Sequence, residues 1–323
     1  MTEPLLQVEG LSVHLPSGVE VVSDVTLTID RKVRMGLVGE SGSGKTLTAM
    51  SVMGLLPSGL TASGSVRLGG QEILGRPESD AVKWRGSRVA FIPQDAMASL
   101  NPVWTVGRQI AEPMKIHGVG VRADRRDRVL ELLDRVKIND PTRVARSYPH
   151  QLSGGQRQRV VIAAALAADP ELVIADEPTS ALDATVRTDV MNLMRELSAS
   201  FGVAMLVITH DLPVVAHLCD RVAVMYGGRI VESGPVNTVL DNPMHQYTGA
   251  LLPSAPQSHL RSETRGEPLP VIPGTVPPAG QFPHGCPFRD RCLAADDQCR
   301  EMPPMVERHG RSYACWHPLE VAS

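Results

Sequence analysis

The spacing of apolar positions changes along the chain, and each change predicts a different kind of element. Between Leu5 and Ile29 it is short and alternating: Leu5-Leu-Gln-Val8, then Val19 to Val22, then Val25, Leu27 and Ile29 separated by Thr26 and Thr28. A period of two sends one face to a core and the other to water, so short strands are predicted. Pro16-Ser-Gly18 turns the chain between the first two, which predicts an antiparallel β patch. Met35-Gly-Leu-Val38 is a continuous apolar run, followed after a polar stretch by the helical run Leu47-Thr-Ala-Met-Ser-Val-Met53. Gly64-Ser-Val-Arg-Leu68 and Arg88-Val-Ala-Phe-Ile92 read as further strands, the second ending at Pro93-Gln94.

From Ala96 to Ala168 the period becomes helical, with Val106, Ile110 and Met114 and then Val129, Leu132, Leu133 and Val136 on single faces. A helical insert over about residues 95–168 is expected. Continuous apolar runs return at Leu172-Val-Ile-Ala175, Val203-Ala-Met-Leu-Val-Ile208 and Arg221-Val-Ala-Val-Met225, each followed by a helix or turn. Strands apolar on both faces and alternating with helices predict an α/β fold with a buried, mostly parallel sheet. Beyond Leu252 the pattern breaks. Pro253, Pro256, Pro268, Pro270, Pro273, Pro277, Pro278 and Pro283 exclude a long helix, so residues 1–252 are read as the folded body and 253–323 as a proline-rich linker and tail that buries little.

Composition narrows the classes of function. The 323 residues carry a formal net charge of -3, with 32 basic and 35 acidic side chains, and aromatics make up 3%. Neither a cationic field nor a set of stacking rings is offered to nucleic acid, so no nucleic-acid partner is expected. The longest apolar run, Val160 to Ala168, stops at Asp169-Pro170, too short to span a bilayer, and Met1-Thr-Glu-Pro-Leu-Leu lacks the features of an export signal. A cytoplasmic location is expected. There Cys286, Cys292, Cys299 and Cys315, crowded into the tail while Cys219 stands apart, suggest metal before disulfide.

The polar stretch after Val38 carries the first chemistry. Gly39-Glu40-Ser41-Gly42-Ser43-Gly44-Lys45-Thr46 lies between an apolar strand and a helix, the context of a phosphate-binding loop. Its glycines let successive N–H groups turn inward to phosphate oxygens, and the helix behind adds its positive end. Lys45 would reach the β- and γ-phosphates of a nucleotide and Thr46 would place its hydroxyl on Mg²⁺, with Thr48 counted in the same site. Asp176, ending the run from Leu172, suits a Mg²⁺ held through water, and Glu177 suits polarisation of the attacking water. His210 in Ile208-Thr-His-Asp211 suits the γ-phosphate, and Gln94 can touch both Mg²⁺ and water. Leu152-Ser153-Gly154-Gly155-Gln156 precedes a helix, so Ser153 is an N-cap and the exposed N–H groups form a second anion site.

In this order and spacing these stretches, with Ser180-Ala-Leu-Asp183, resemble the motif set of ATP-binding cassette ATPases over roughly residues 5–250. The resemblance implies a P-loop ATPase that pairs head to tail with a second ATPase subunit, a paralogue or a second copy. Each ATP would then lie between the phosphate loop of one and Ser153 to Gln156 of the other, with Asp183 linking the two sites. It implies that residues 94–105 receive a membrane subunit, and that Leu15, with His14 as the alternative, packs on adenine where the family usually has an aromatic ring. The tail, with Gly285-Cys286-Pro-Phe-Arg-Asp-Arg-Cys292, Cys299 and Cys315, resembles dipeptide- and oligopeptide-importer subunits. That branch implies a 4Fe-4S cluster on the four cysteines, zinc being the alternative, in a structural role that pins the tail.

The expected function is therefore ATP hydrolysis powering peptide import from the cytoplasmic face of the membrane. Two permease subunits and, indirectly, an extracytoplasmic substrate-binding protein would be its partners. Nickel, opines or short sugars are alternative cargoes. From other classes, a soluble cassette ATPase acting on nucleic acid with a zinc module is disfavoured by the acidic balance, and a non-hydrolytic switch by intact Glu177 and His210.

Overall fold

The computed structural model describes residues 3–180, 182–254, 272–308 and 310–319. Pro256, Pro268 and Pro270 of the predicted linker, and Ala181 between Ser180 and Asp183, lie outside the described residues. The chain begins with β1 (Leu6–His14), β2 (Glu20–Ile29), β3 (Arg34–Val38), α1 (Lys45–Met53), β4 (Thr61–Leu68) and β5 (Gln71–Glu72). It continues through α2 (Glu78–Trp84), β6 (Val89–Ile92), α3 (Ala96–Ser99), α4 (Val106–Ile116), α5 (Arg122–Arg135), α6 (Pro141–Arg146) and α7 (Gly154–Leu166). Then come β7 (Leu172–Asp176), α8 (Ala184–Phe201), β8 (Ala204–Thr209), α9 (Leu212–Leu218), β9 (Arg221–Tyr226) and β10 (Arg229–Pro235). Helices α10 (Val236–Asp241) and α11 (Gln246–Ser254) and the short strands β11 (Val306–Arg308) and β12 (Arg311–Tyr313) complete it.

These elements form two compact units. The first comprises Ile29–Arg34 and Gly75–Ile208 with the N-terminal residues up to Leu5; the second comprises Leu6–Thr28, Met35–Leu74 and the residues from Thr209 onward. In the first, β6, β7 and β8 are parallel neighbours, with Ile92 beside Ala175 and Asp176 beside Ile208. All positions of β7 and β8 are buried, which is why their sequences are apolar without alternation. The α3–α7 helices occupy the stretch from Ala96 to Leu166. Helix α8 opens on Asp183, whose carboxylate accepts the Val186 N–H, closes on Gly202 at φ 65°, and buries Val190, Leu193, Met194 and Leu197.

The second unit holds two sheets. One has the order β2-β1-β4-β5. Its two long strands replace the several short ones predicted from sequence. A bulge lets β1 run on: its pairing with β4 shifts between Glu9 and Ser12, around Gly10 at φ 60°. The facing Gly64 passes so close that a Cβ there would lie 2.5 Å from the Gly10 carbonyl oxygen. In the other sheet β3 and β9 are parallel, while β9, β10, β12 and β11 follow one another antiparallel. The tail therefore supplies two strands and buries Ile272, Phe288, Cys286, Cys299 and Tyr313, more than its proline content predicts. Among the described residues no helix is long and apolar enough to cross a membrane.

Candidate active site

In the second unit the phosphate loop follows β3. Gly39 is fixed by its neighbour: a Cβ there would lie 2.1 Å from the Met225 carbonyl oxygen at the end of β9. Gly42 and Gly44 sit at φ 82° and 100°, the left-handed region that a loop curling round an anion requires. Lys45 is buried, and its Nζ donates to the carbonyl oxygens of Gly39 at 2.8 Å and Glu40 at 2.9 Å and to Ser43 Oγ at 3.2 Å. That holds the ammonium at the centre of the loop. Ser41, Gly42 and Thr46 are exposed at its rim, whereas Thr48 is fully buried and donates its hydroxyl to the Gly44 carbonyl. His210, exposed at the end of β8, lines with Gly39, Glu40 and Ser41 a cleft of about 460 Å³. Leu15 is half-buried just past β1 in the turn closed by Gly18 N–H to its carbonyl at 2.8 Å.

In the first unit three parallel strands end side by side. Asp176, the last residue of β7, is 9% exposed. Glu177 turns out of the strand at φ 47°, and its N–H donates to the Ile208 carbonyl at 2.9 Å. A left-handed conformation costs a non-glycine residue about 1 kcal/mol and marks a side chain whose direction is imposed by its surroundings. Gln94 is exposed two residues past β6, whose end pairs with β7. The second predicted anion site forms the start of α7. Ser153 Oγ accepts the Gln156 N–H at 3.3 Å while Gln156 Oε1 accepts the Ser153 N–H at 3.1 Å, a reciprocal capping box. Ser153 and Gly154 are exposed. A Cβ on Gly155 would meet Val186 at 2.8 Å, but one on Gly154 would meet nothing within 4 Å.

Comparison with known proteins bears on this arrangement. The family described as "ABC transporter" matches residues 22–180, and that described as "Oligopeptide/dipeptide transporter, C-terminal region" matches residues 231–299. The chain is 42% identical to the probable D,D-dipeptide transport ATP-binding protein DdpD of Escherichia coli strain K12, over 99% of this chain and 98% of that protein. The chain belongs to the ABC transporter ATP-binding proteins. The oligopeptide transport ATP-binding protein OppD of the same organism is also 42% identical, over 98% of this chain and 94% of that one. Among solved structures, cbiO1 of Clostridium perfringens, part of the ABC transporter complex cbiONQ, aligns with a TM-score of 0.66 at 27% identity over 74% of this chain and 92% of that one. The cassette MJ0796, as a dimer bound to ADP and phosphate, aligns with a TM-score of 0.63 at 27% identity over 72% and 98%. The α/β fold expected from the apolar pattern is thus that of an ABC cassette, and the chain is an ATPase of this family.

This ABC ATPase gathers its four tail cysteines. Gly285, at φ 81°, lies so near residues 299–300 that a Cβ would fall 2.5 Å from the Cys299 carbonyl oxygen, and the Cys286 N–H donates to that oxygen at 3.0 Å. Cys315 follows Ala314, whose N–H donates to Val231 of β10 at 2.9 Å. Burial pushes the Cys286 thiol up to about 12, and the charges of Cys299, Cys315 and Cys292 push in the same direction. Burial is also the largest cause of the rise at Cys292 and Cys315, with the other cysteines adding to it. Four thiols within electrostatic reach of one another suit a shared metal group. In a tetrahedral zinc site with bonds of about 2.3 Å, the sulfurs would sit roughly 3.8 Å apart. Among the described residues, the three such ligand atoms that lie within 4.8 Å of one another belong instead to Asp296, Cys299 and His317.

Sequence reading missed the residues that hold the phosphate loop from the tail side. Tyr247 Oη accepts the Glu40 N–H at 2.9 Å, and Arg291 grips the Glu40 carboxylate with Nη1 at 2.6 Å and Nη2 at 3.1 Å. Arg291 also donates to the Pro273 carbonyl at 2.8 Å and lies over the ring of Tyr226. Tyr226 packs against Tyr247, Phe282 and Phe288 with ring centres 4.6, 5.8 and 5.2 Å away. The available signal was the aromatic residues themselves, scarce in the chain yet present on both sides of the linker.

Proposed function

We propose that this ATPase powers import of peptides through a membrane transporter, as a peripheral subunit on the cytoplasmic face. The observation that carries the cargo is the match of its C-terminal region to the oligopeptide/dipeptide group, together with relatives named for peptide transport along its whole length. Its partners are two permease subunits and a second ATPase subunit, with an extracytoplasmic substrate-binding protein acting indirectly. In the reaction, Glu177 orients water for attack on the γ-phosphate, Thr46, Asp176 and Gln94 hold Mg²⁺, and Lys45 and His210 stabilise the charge spreading over the phosphoryl oxygens. The remaining loop residues, Gly39 to Gly44, surround the phosphates and Leu15 meets the base, whereas Thr48, expected at the nucleotide, is fully buried with its hydroxyl on the Gly44 carbonyl and braces the loop instead.

Ser153 to Gln156 contact the nucleotide bound by the second subunit, and Asp183 lies close to that junction. Open space at Gly154 supports this: among the described residues nothing lies within 4 Å of a Cβ placed there, which leaves room for a ligand from another subunit. Exposed Val103, and Trp104 stacked under Arg108 at 3.7 Å, support the stretch from Gln94 to Thr105 as the seat of a permease segment. For the tail, a 4Fe-4S cluster on Cys286, Cys292, Cys299 and Cys315 fits gathered sulfurs spaced more widely than zinc requires, and when bound it would pin the tail. Zinc on Asp296, Cys299 and His317 is the competing occupant. Anaerobic purification should give a brown protein with stoichiometric iron; a colourless one containing zinc would exclude the cluster. Reconstitution with the permeases and binding protein should give ATP turnover stimulated by short peptides. Stimulation by nickel, opines or oligosaccharides instead would reassign the cargo.

A further inference from the structure

An acidic residue inside a phosphate-binding loop poses an electrostatic problem. Glu40 is the second residue of the loop, and its backbone oxygen accepts from Lys45 Nζ as the Gly39 carbonyl and Ser43 Oγ do, so its carboxylate starts next to the path of a triphosphate. Left free, that charge would repel the ligand the loop is built to hold. The structure engages the side chain in a two-pronged pair with Arg291, a residue 251 positions later. The guanidinium is not a chance surface partner: its side chain is 6% exposed, held by the Pro273 carbonyl and Tyr226 Oη, and the Glu40 carboxylate raises its already high affinity for a proton. Such a fork fixes direction as well as charge. Both residues line the cleft that also holds Gly39, Ser41 and His210.

We infer that Arg291 is a positioning residue of the nucleotide site: it neutralises Glu40 and holds its carboxylate off the phosphate path, so the cysteine-bearing tail sets the affinity of the loop. The inference rests on the ATPase reading and is independent of cargo. Its test is ADP titration by calorimetry on the full-length protein with its tail centre intact. R291Q should weaken ADP binding roughly tenfold. If the cause is the freed carboxylate, the loss disappears in the E40Q background, where the R291Q/E40Q double variant binds ADP within about twofold of E40Q.

A merely structural tether behaves otherwise, because neutral Gln at position 40 cannot repair a displaced tail. Equal loss in both backgrounds, or R291Q binding ADP like the wild type, overturns the proposal. Should R291Q fail to fold by circular dichroism, R291K keeps the charge while losing the fork. It should weaken ADP by roughly threefold, again only when Glu40 is present. Wild-type protein that binds no ADP would instead remove the ATPase reading beneath it.

Discussion

The two turns to which we assign anion binding are built in opposite ways. The phosphate loop is braced from every side by its own chain: Lys45 ties three of its residues, Met225 leaves no room beside Gly39, Tyr247 caps the Glu40 N–H, and Arg291 takes the Glu40 carboxylate. The turn from Ser153 to Gln156 is held by a capping box and by Val186 against Gly155, exposes Ser153 and Gly154, and among the described residues has nothing within 4 Å of a Cβ on Gly154. The first is finished before a ligand arrives. The second leaves Ser153 and Gly154 open, which is the physical basis on which we propose that it meets the nucleotide of a neighbouring subunit.

That contrast can be broken by mutation, most severely at the chemistry itself. E177Q should keep ATP binding and lower turnover about a thousandfold, measured by phosphate release beside an ATP titration. Normal turnover in that variant would remove Glu177 from the reaction. G154L tests the open turn. In the assembled transporter it should cut turnover at least roughly tenfold, while ADP affinity of the isolated chain, which depends on the braced loop, holds. Undiminished turnover would end the two-subunit site.

The bracing has its own pH signature. Burial lowers His245 to about 3, and its Nδ1 accepts the Tyr247 N–H at 3.0 Å. Its folded-state value lies below the ordinary 6.5. The unfolded chain therefore takes up the proton first, so stability is fully present above about 6.5 and declines as pH falls toward 3. Between pH 8 and pH 5 this group should remove about 2 kcal/mol, read as a fall in urea midpoint that H245N flattens. The smallest effect belongs to the cap: S153A should cost about 1 kcal/mol of stability by urea unfolding. A larger loss would mean the turn is braced more than its hydrogen bonds indicate.

What was legible in the sequence was what is local. Gly39 to Thr46 is recognisable because glycines, lysine and threonine act within one turn, and Leu172 to Glu177 because a doubly buried strand must be apolar and then stop. The strand pattern misled at Gly10, past which the short strand predicted at Leu5 to Val8 runs on to His14, and at Asp24, through which the two predicted at Val19 to Val22 and Val25 to Ile29 become one. The tail was least legible. β11 and β12 have three residues each, too few for any period, and the pairing of Arg291 with Glu40 joins positions that no window of sequence contains.

That separation also has a consequence for the order of events during synthesis. At about 5–20 residues per second, the arginine emerges from the ribosome some 10–50 seconds after the glutamate it must hold. A nascent chain thus displays its lysine cradle well before the counter-charge exists. Full grip on nucleotide is a late acquisition, reached only when the last elements have been translated and folded back.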